Sequence, residues 1–415
     1  MYKKILAERF AHKTICLLGY GREGQSSRQI IQSLLPRAHI GIADQKLNKN
    51  YLKTLKNYDV IIRSPGVPLS LIEPFIRPNT LITSQTKLFF EFCPGIIIGV
   101  TGTKGKSTIV SLIHHVLKPS LPQVQLIGNI GTPPLPLLDQ ATKSTVFVFE
   151  LSSHQLLDLT QSPHIAVLLN LFPEHLDYYA NFDAYVAAKA NITRYQTSKD
   201  ILVYNPADPA VLKIAQESKA QKYPFQVKPN HQLPSLDAAI VVGGLFNIPE
   251  AKINHQLKTF SPLPHRLEPI GTFRQITFIN DSLATIPQAT IHALRVTGVK
   301  LSTLITGGFD RGVDYQPLAQ AILESPIHTL ILLPDTGAKI KQSLIRLNQS
   351  ISDKINIIEV NSMSAAVKAA YQFTPKGKIC LLSPAAASFN LFRDYQDRGE
   401  QFTYRVNQYR SQLNA

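Results

Sequence analysis

Cysteine is scarce in this 415-residue chain, and Cys16, Cys93 and Cys380 stand far apart, with no CxxC pair and no neighbouring histidine. That excludes a disulfide scaffold and a cysteine-based zinc site, and it fits a reducing compartment. Long hydrophobic runs are also lacking. Runs such as GIIIGV (95–100) fall far short of the roughly 20 residues a membrane helix needs. The basic start MYKKILAERFAHK has no apolar core of about 7–15 residues, so no signal peptide is read there. Acidic residues are few, 28 Asp and Glu against 43 Lys and Arg, for a net charge of +15. Such an excess draws anionic partners, unless it is only a basic surface. The basic residues are dispersed, with no Lys/Arg block and no aromatic-interleaved patch, which argues against nucleic acid. Anionic small molecules such as nucleotides remain. Repeats and low-complexity tracts are absent. The expectation is a soluble cytoplasmic protein with no membrane partner.

At 44% hydrophobic and 17% charged, the chain can bury a core. Its length suits about two to four domains. Short β-branched apolar runs recur at 14–19, 39–44, 59–66, 95–102, 146–151, 165–170, 276–281, 302–308, 329–334 and 378–384. Helix-like stretches lie between them at 107–118, 182–195 and 315–323. Continuous apolar strands alternating with helices predict parallel sheets covered on both faces, an α/β protein. Breaks near EFCPG (91–95) and the proline-dotted segment ending at SPLPHR (261–266) suggest three domains: 1–92, 93–262 and 263–415.

Three motifs carry chemistry. Gly19-Tyr20-Gly21-Arg22-Glu23-Gly24 follows the first strand, and Asp44 comes 20 residues after Gly24. Glycines there let backbone N–H groups approach a diphosphate, and such an acid often holds a ribose. NAD is the default ligand of this motif alone; a structural tight turn is the alternative. Thr101-Gly102-Thr103-Lys104-Gly105-Lys106-Ser107-Thr108 then joins GIIIGV to an apolar-periodic helix. Its backbone would cradle phosphates, Lys106 would neutralise them, and Ser107 could ligate Mg²⁺. It departs from GxxxxGK[ST], because Val100 stands where the first glycine belongs. An ATP site so soon after the first motif displaces the dehydrogenase reading. Finally, Glu150 and His175 lie at strand ends, where ligands sit in open α/β sheets. They could face the loop and bind Mg²⁺, although His175 alone reads as a satisfied polar residue. Lys189 alone reads as a solvated helix lysine.

Together these residues resemble the Mur ligase family over nearly the whole chain. GVTGTKGKST carries the family's ATPase signature. The branch that adds D-glutamate is picked out by FELSSHQL (149–156), GNIG (128–131), SPGVP (64–68), PHRLE (264–268), INDSLAT (279–285) and LLSPAAASFNLFRDYQDRGEQF (381–402). The resemblance implies a Rossmann-like UDP-binding domain, a central phosphate-loop ATPase domain and a C-terminal Rossmann-like domain. It assigns Gly21, Arg22, Glu23, Asp44, Ser64, Pro65 and Gly66 to UDP rather than NAD, and Asn129 to the sugar-peptide. ATP would be held by Gly102, Thr103, Lys104, Gly105, Lys106, Ser107, Thr108, Asn247, Arg266 and Asp281. Ser107, Glu150, His175 and Lys189, the last as a carbamate, would hold Mg²⁺, and this overturns the solvated reading of Lys189. Lys106, Glu150, His175 and Lys189 would be catalytic. Thr285, Arg311, Ser388, Phe389 and Tyr395 would surround the incoming amino acid.

The implied reaction is ATP-dependent. The terminal carboxylate of UDP-N-acetylmuramoyl-L-alanine becomes an acyl phosphate, D-glutamate attacks, and an amide forms in cytoplasmic peptidoglycan precursor synthesis. A monomer is expected. Three departures keep alternatives open, namely another acceptor amino acid or a non-catalytic nucleotide-binding homologue. The family's adenine-binding Asn-x-x-Asn pair is here Asn247 with Glu250 at the second place, and only 19 residues separate Asn247 from Arg266. Leu283 stands where the family has lysine. Arg311 replaces, or sits near, another family lysine.

Overall fold

The fold is described from a computed structural model, over residues 2–175, 178–227, 235–260 and 264–412. The expected boundary at residue 262 lies outside the described residues. The first sheet holds β1 (Ile15–Leu18), β2 (Ile40–Ala43), β3 (Val60–Arg63) and β4 (Leu81–Thr83), ordered β2-β1-β3-β4 and parallel throughout. The second holds β5 (Ile96–Thr101), β6 (Val124–Gly128), β7 (Val146–Glu150), β8 (Ile165–Leu168), β9 (Ile201–Tyr204) and β10 (Gln221–Pro224). It is also parallel, in the order β10-β9-β8-β5-β7-β6. The third holds β11 (Glu268–Phe273), β12 (Ile276–Asn280), β13 (Leu301–Gly308), β14 (Thr329–Asp335), β15 (Asn356–Glu359) and β16 (Ile379–Leu382). Its order is β11-β12-β16-β13-β14-β15, and among these pairings β11 alone runs antiparallel to its neighbour.

Compact units divide the chain at Phe260, so the first unit carries two sheets. The core explains why. Along β7 the side chains alternate, so Phe147 and Phe149 point one way and Val146 and Val148 the other. The phenylalanine face meets Phe89 of the helix Gln85–Phe92 edge-on, with ring centroids 5.0 and 5.7 Å apart. These rings belong to one apolar cluster that also takes in Ile15, Leu17, Val60 and Ile62 of the first sheet. The valine face packs on the helix Lys106–Leu117 through Ile109, Leu112 and Ile113. Each buried phenylalanine is worth about 1.5–3 kcal/mol, so Phe89, Phe147 and Phe149 weld the two sheets. The second unit, from Ser261 on, buries one cluster on each face of its own sheet.

Candidate functional site

In each sheet a ligand crevice opens where neighbouring strands send their connections to opposite sides. In the first sheet that point lies between β1 and β3. Gly19 has φ 85°, and a Cβ there would come within 2.7 Å of Ser64 Oγ, so the turn needs glycine. The Ser64 hydroxyl donates to Gly19 O at 3.1 Å. Asp44 accepts from the Tyr20 and Lys46 amides at 2.7 and 2.8 Å, so its carboxylate shapes the loop. Arg22 donates to Gly131 O at 2.8 Å, tying this loop to the GNIG segment. Glu23 approaches Gln155, and burial raises its carboxyl above the ordinary range. Gly21, Ser64, Pro65 and Gly66 line the same strand ends.

In the second sheet β5 runs into the phosphate loop. Gly105 at φ 85° turns the chain into the helix Lys106–Leu117, which places backbone N–H groups and the helix's positive end beside Gly102, Thr103 and Lys104. Lys106 Nζ donates to Gly102 O at 3.0 Å and Thr103 O at 2.9 Å. Ser107 and Thr108 occupy the helix's first turn. Lys189, on the helix Phe182–Arg194, is 1% exposed and donates to Gly102 O at 2.9 Å from beneath the loop. Burial pushes its ammonium well below the ordinary lysine range, and the Lys106 charge adds to the push. The solvated-helix reading of Lys189 does not survive this placement.

Glu150 closes β7, 1% exposed. Asn129 donates to its Oε1 at 3.0 Å, while Oε2 is buried without a hydrogen-bond partner. An orphaned carboxylate oxygen so near a phosphate loop suits a hard cation, and Mg²⁺ takes one or two carboxylates plus phosphate and water. Among the described residues no three His, Cys, Asp or Glu side chains converge to hold a metal. The further oxygens would therefore come from Ser107, from phosphate, from water, or from a carbamate on Lys189. The donor set fits Mg²⁺ on those terms. His175 is exposed at φ 57°, its ring 5.0 Å from that of His154.

Residues not singled out from the sequence complete the loop. Asn170, just past β8, accepts from the Lys104 amide at 2.8 Å and donates to Lys104 O at 3.1 Å. Its own carbonyl accepts from the Thr103 amide. Glu174 pairs with Lys104 Nζ at 2.5 Å, and Tyr185 hydroxyl meets Thr103 Oγ1 at 3.1 Å. For Asn170 and Glu174 the available signal was their place just after an apolar strand; Tyr185, on the helix Phe182–Arg194, gave none.

In the second unit the crevice lies between β13 and β16. The Gly307 and Phe309 amides donate to Pro384 O and Ala387 O, both at 2.8 Å. Arg311 sits over the Phe389 ring at 5.6 Å, so the structure brings these two expected residues together. Ser388 is buried beside them in sequence, and Thr285 follows Leu283, whose amide donates to His265 O. The Ser282 hydroxyl donates to Tyr395 O at 2.8 Å. Arg398, also missed, is fully buried and donates to Ser282 Oγ, Ser282 O and Ala386 O at 2.8–3.0 Å. Asp281 accepts from Ser383 Oγ at 2.7 Å and the Leu267 amide at 3.1 Å, and burial lifts its carboxyl to about 6 against the pull of the Arg266 charge. Asn247 is exposed at φ 55° between the helices Asp237–Leu245 and Glu250–Thr259, with Glu250 opening the second helix.

Residues 100–242 match the Mur ligase middle domain. A UDP-N-acetylmuramoylalanine–D-glutamate ligase of Acetivibrio thermocellus is 33% identical over 399 residues, 87% of this chain and 85% of its own. The chain belongs to the Mur ligase family. A ligase of the same name from Clostridium botulinum strain Loch Maree is 33% identical over 89% of this chain and 86% of its own. Among solved structures, MurF ligase from Thermotoga maritima in complex with ADP is 16% identical, with TM-score 0.60 over 96% of this chain and 95% of that one. UDP-N-acetylmuramate-alanine ligase MurC from the same organism gives 0.59 at 16% identity, over 97% and 100%. The architecture is thus the family's three-domain α/β fold. Among the described residues no helix is long and apolar enough to cross a membrane.

Proposed function

We propose that this Mur ligase couples ATP cleavage to amide formation, joining D-glutamate to UDP-N-acetylmuramoyl-L-alanine in the cytoplasm. The observation that carries the reading is the buried Lys189 amine beneath the Gly102 carbonyl, in the loop that follows β5, the strand paired with β7 and its half-orphaned Glu150. The acceptor rests on the name borne by relatives that match most of the chain. In this reading residues 1–92 hold the UDP end, 93–262 hold ATP, and 263–415 hold the amino acid.

The chemistry follows from the residues. A carboxylate is a poor electrophile until phosphorylation turns one of its oxygens into a leaving group. Lys106 and the loop amides stabilise the charge that spreads over the transferring phosphoryl group, which dominates such reactions. Mg²⁺, when bound, neutralises phosphate charge. Asn129 orients Glu150 by holding one oxygen and leaving the other for the ion. Burial disfavours the charged form of Lys189, and an amine must be uncharged to add CO₂ and become an oxygen ligand. Arg266 and Asp281 serve ATP, and Arg311 with Phe389, Thr285, Ser388 and Tyr395 receives the amino acid. The test is ADP release from ATP with UDP-N-acetylmuramoyl-L-alanine, with and without D-glutamate. Release that depends on both substrates supports the reading. Release driven equally well by another amino acid, or no release, overturns it.

A further inference from the structure

Arg63 ends β3 and is 1% exposed, yet it belongs to none of the motifs read above. Its Nη1 donates to Pro65 O at 3.1 Å and Val67 O at 2.6 Å, so one guanidinium nitrogen folds the loop 64–67 around itself. Its Nη2 lies 3.1 Å from Asp158 Oδ1. Asp158 stands two residues past the short helix Ser153–Leu156, which begins three residues after Glu150. The same helix makes a second tie, to the helix Arg22–Leu34 that follows β1. Gln155 Oε1 accepts from the Ser152 amide and hydroxyl in a capping box, which aims Nε2 at Glu23 Oε1, 3.4 Å away. Leu151, next to Glu150, is pinned in turn by Thr101 Oγ1 at 2.7 Å, at the start of the phosphate loop.

We propose that Arg63 is a positioning residue that sets the loop 64–67 and, through Asp158, locks it to the segment carrying Glu150. The sugar-nucleotide substrate then enters with its reacting end in register with the phosphate loop. This rests on the assignment of Ser64, Pro65 and Gly66 to that substrate. A buried guanidinium suits the task because its planar fork reaches two carbonyls and a carboxylate at once, which an ammonium does poorly. Asp158 has a second cation, Lys87 Nζ at 3.1 Å, so removing Arg63 does not leave a buried carboxylate unpaired. Among the described residues Lys87 makes no hydrogen bond or ion pair with the loop 64–67, and it serves as the control.

The experiment measures steady-state kinetics and thermal melting for Arg63→Met, Arg63→Lys, Asp158→Asn, Lys87→Met and the Arg63→Met/Asp158→Asn pair. Arg63→Met and Asp158→Asn should each raise the KM for UDP-N-acetylmuramoyl-L-alanine tenfold or more and leave the KM for ATP within about twofold. Arg63→Lys should recover part of the loss. The double variant should be no worse than the worse single one, since both cut one link. Folded single variants with wild-type KM, additive losses, or an equal loss in Lys87→Met would overturn the proposal while wild-type turnover stands. Wild-type enzyme that releases no ADP with this substrate sinks the functional reading and this inference with it.

Discussion

Lys189 Nζ sits 2.9 Å from Gly102 O and 4.9 Å from the Tyr185 ring centroid, in a position almost closed to water. The relationship joins a helix remote in sequence to the floor of the phosphate loop. Among the described residues no carboxylate lies at hydrogen-bond distance of Nζ, and burial first, then the Lys106 charge, disfavour the ammonium against the weaker pull of Glu174 and Glu150. The amine is accordingly poised to be neutral.

A neutral amine can take up CO₂. Lys189→Ala should lose at least two orders of magnitude in kcat, with partial return on adding acetate, whose carboxylate replaces the missing oxygen ligand. Wild-type activity should fall in buffer stripped of bicarbonate. Full activity in Lys189→Ala under either condition would refute the carbamate.

The phosphate loop allows a sharper comparison. Lys106→Ala should cost on the order of 10²–10³ in kcat, as loss of one preorganised charge donor does, with the melting temperature little changed. Wild-type ADP release by this variant would remove Lys106 from catalysis.

Asn170→Ala separates support from chemistry. It deletes two hydrogen bonds to Lys104, each worth about 1 kcal/mol. The KM for ATP should rise severalfold and the melting temperature should drop. An unchanged ATP KM would show that the Glu174–Lys104 pair and the Thr103 contacts hold the loop unaided.

The contrast between Lys106 and Asn170 marks how far the sequence is legible. Central parallel strands announce themselves because both faces are buried: Ile15–Leu18 and Val60–Arg63 are buried at every position. The edge strands β4, β10 and β15 give no such run, and Gln221–Pro224 is exposed throughout. Loops with Gly and Lys in fixed order are legible because their chemistry is local. Asn170, Tyr185, Arg63 and Asp158 matter through which strand borders which, and no spacing records that. The shared core around Phe89, Phe147 and Phe149, which makes one compact unit of two sheets, is likewise visible only once they pack.

Asp281 yields a pH dependence. Its carboxyl is lifted by burial from the ordinary 3.8 to about 6, so the native state binds this proton more tightly than the unfolded chain. Stability from this group is therefore greatest below pH 4, falls as pH rises towards 6, and is level above. Two units correspond to roughly 3 kcal/mol. Asp281→Asn should flatten that part of the stability profile, read by denaturant melts between pH 4 and 7. An unchanged slope would place Asp281 in a more solvated setting.

Arg311 addresses the acceptor. A carboxylate entering a partly desolvated crevice needs a cation or several donors, and Leu283 supplies neither. Arg311 follows β13 at the carboxyl end of the third sheet, with its guanidinium carbon over the Phe389 ring, 5.6 Å from the centroid. Its neighbour Asp310 is engaged by Lys339 at 2.6 Å, leaving that acid paired elsewhere. A planar fork there can grip a carboxylate with two parallel hydrogen bonds. Arg311→Ala should raise the KM for D-glutamate tenfold or more, about 1.4 kcal/mol, with the KM for ATP within twofold. Phe389→Ala should move the same constant by less, because it frees the guanidinium without removing it. If neither variant shifts the glutamate KM, the Arg311 assignment fails, and Leu283 then signals altered specificity.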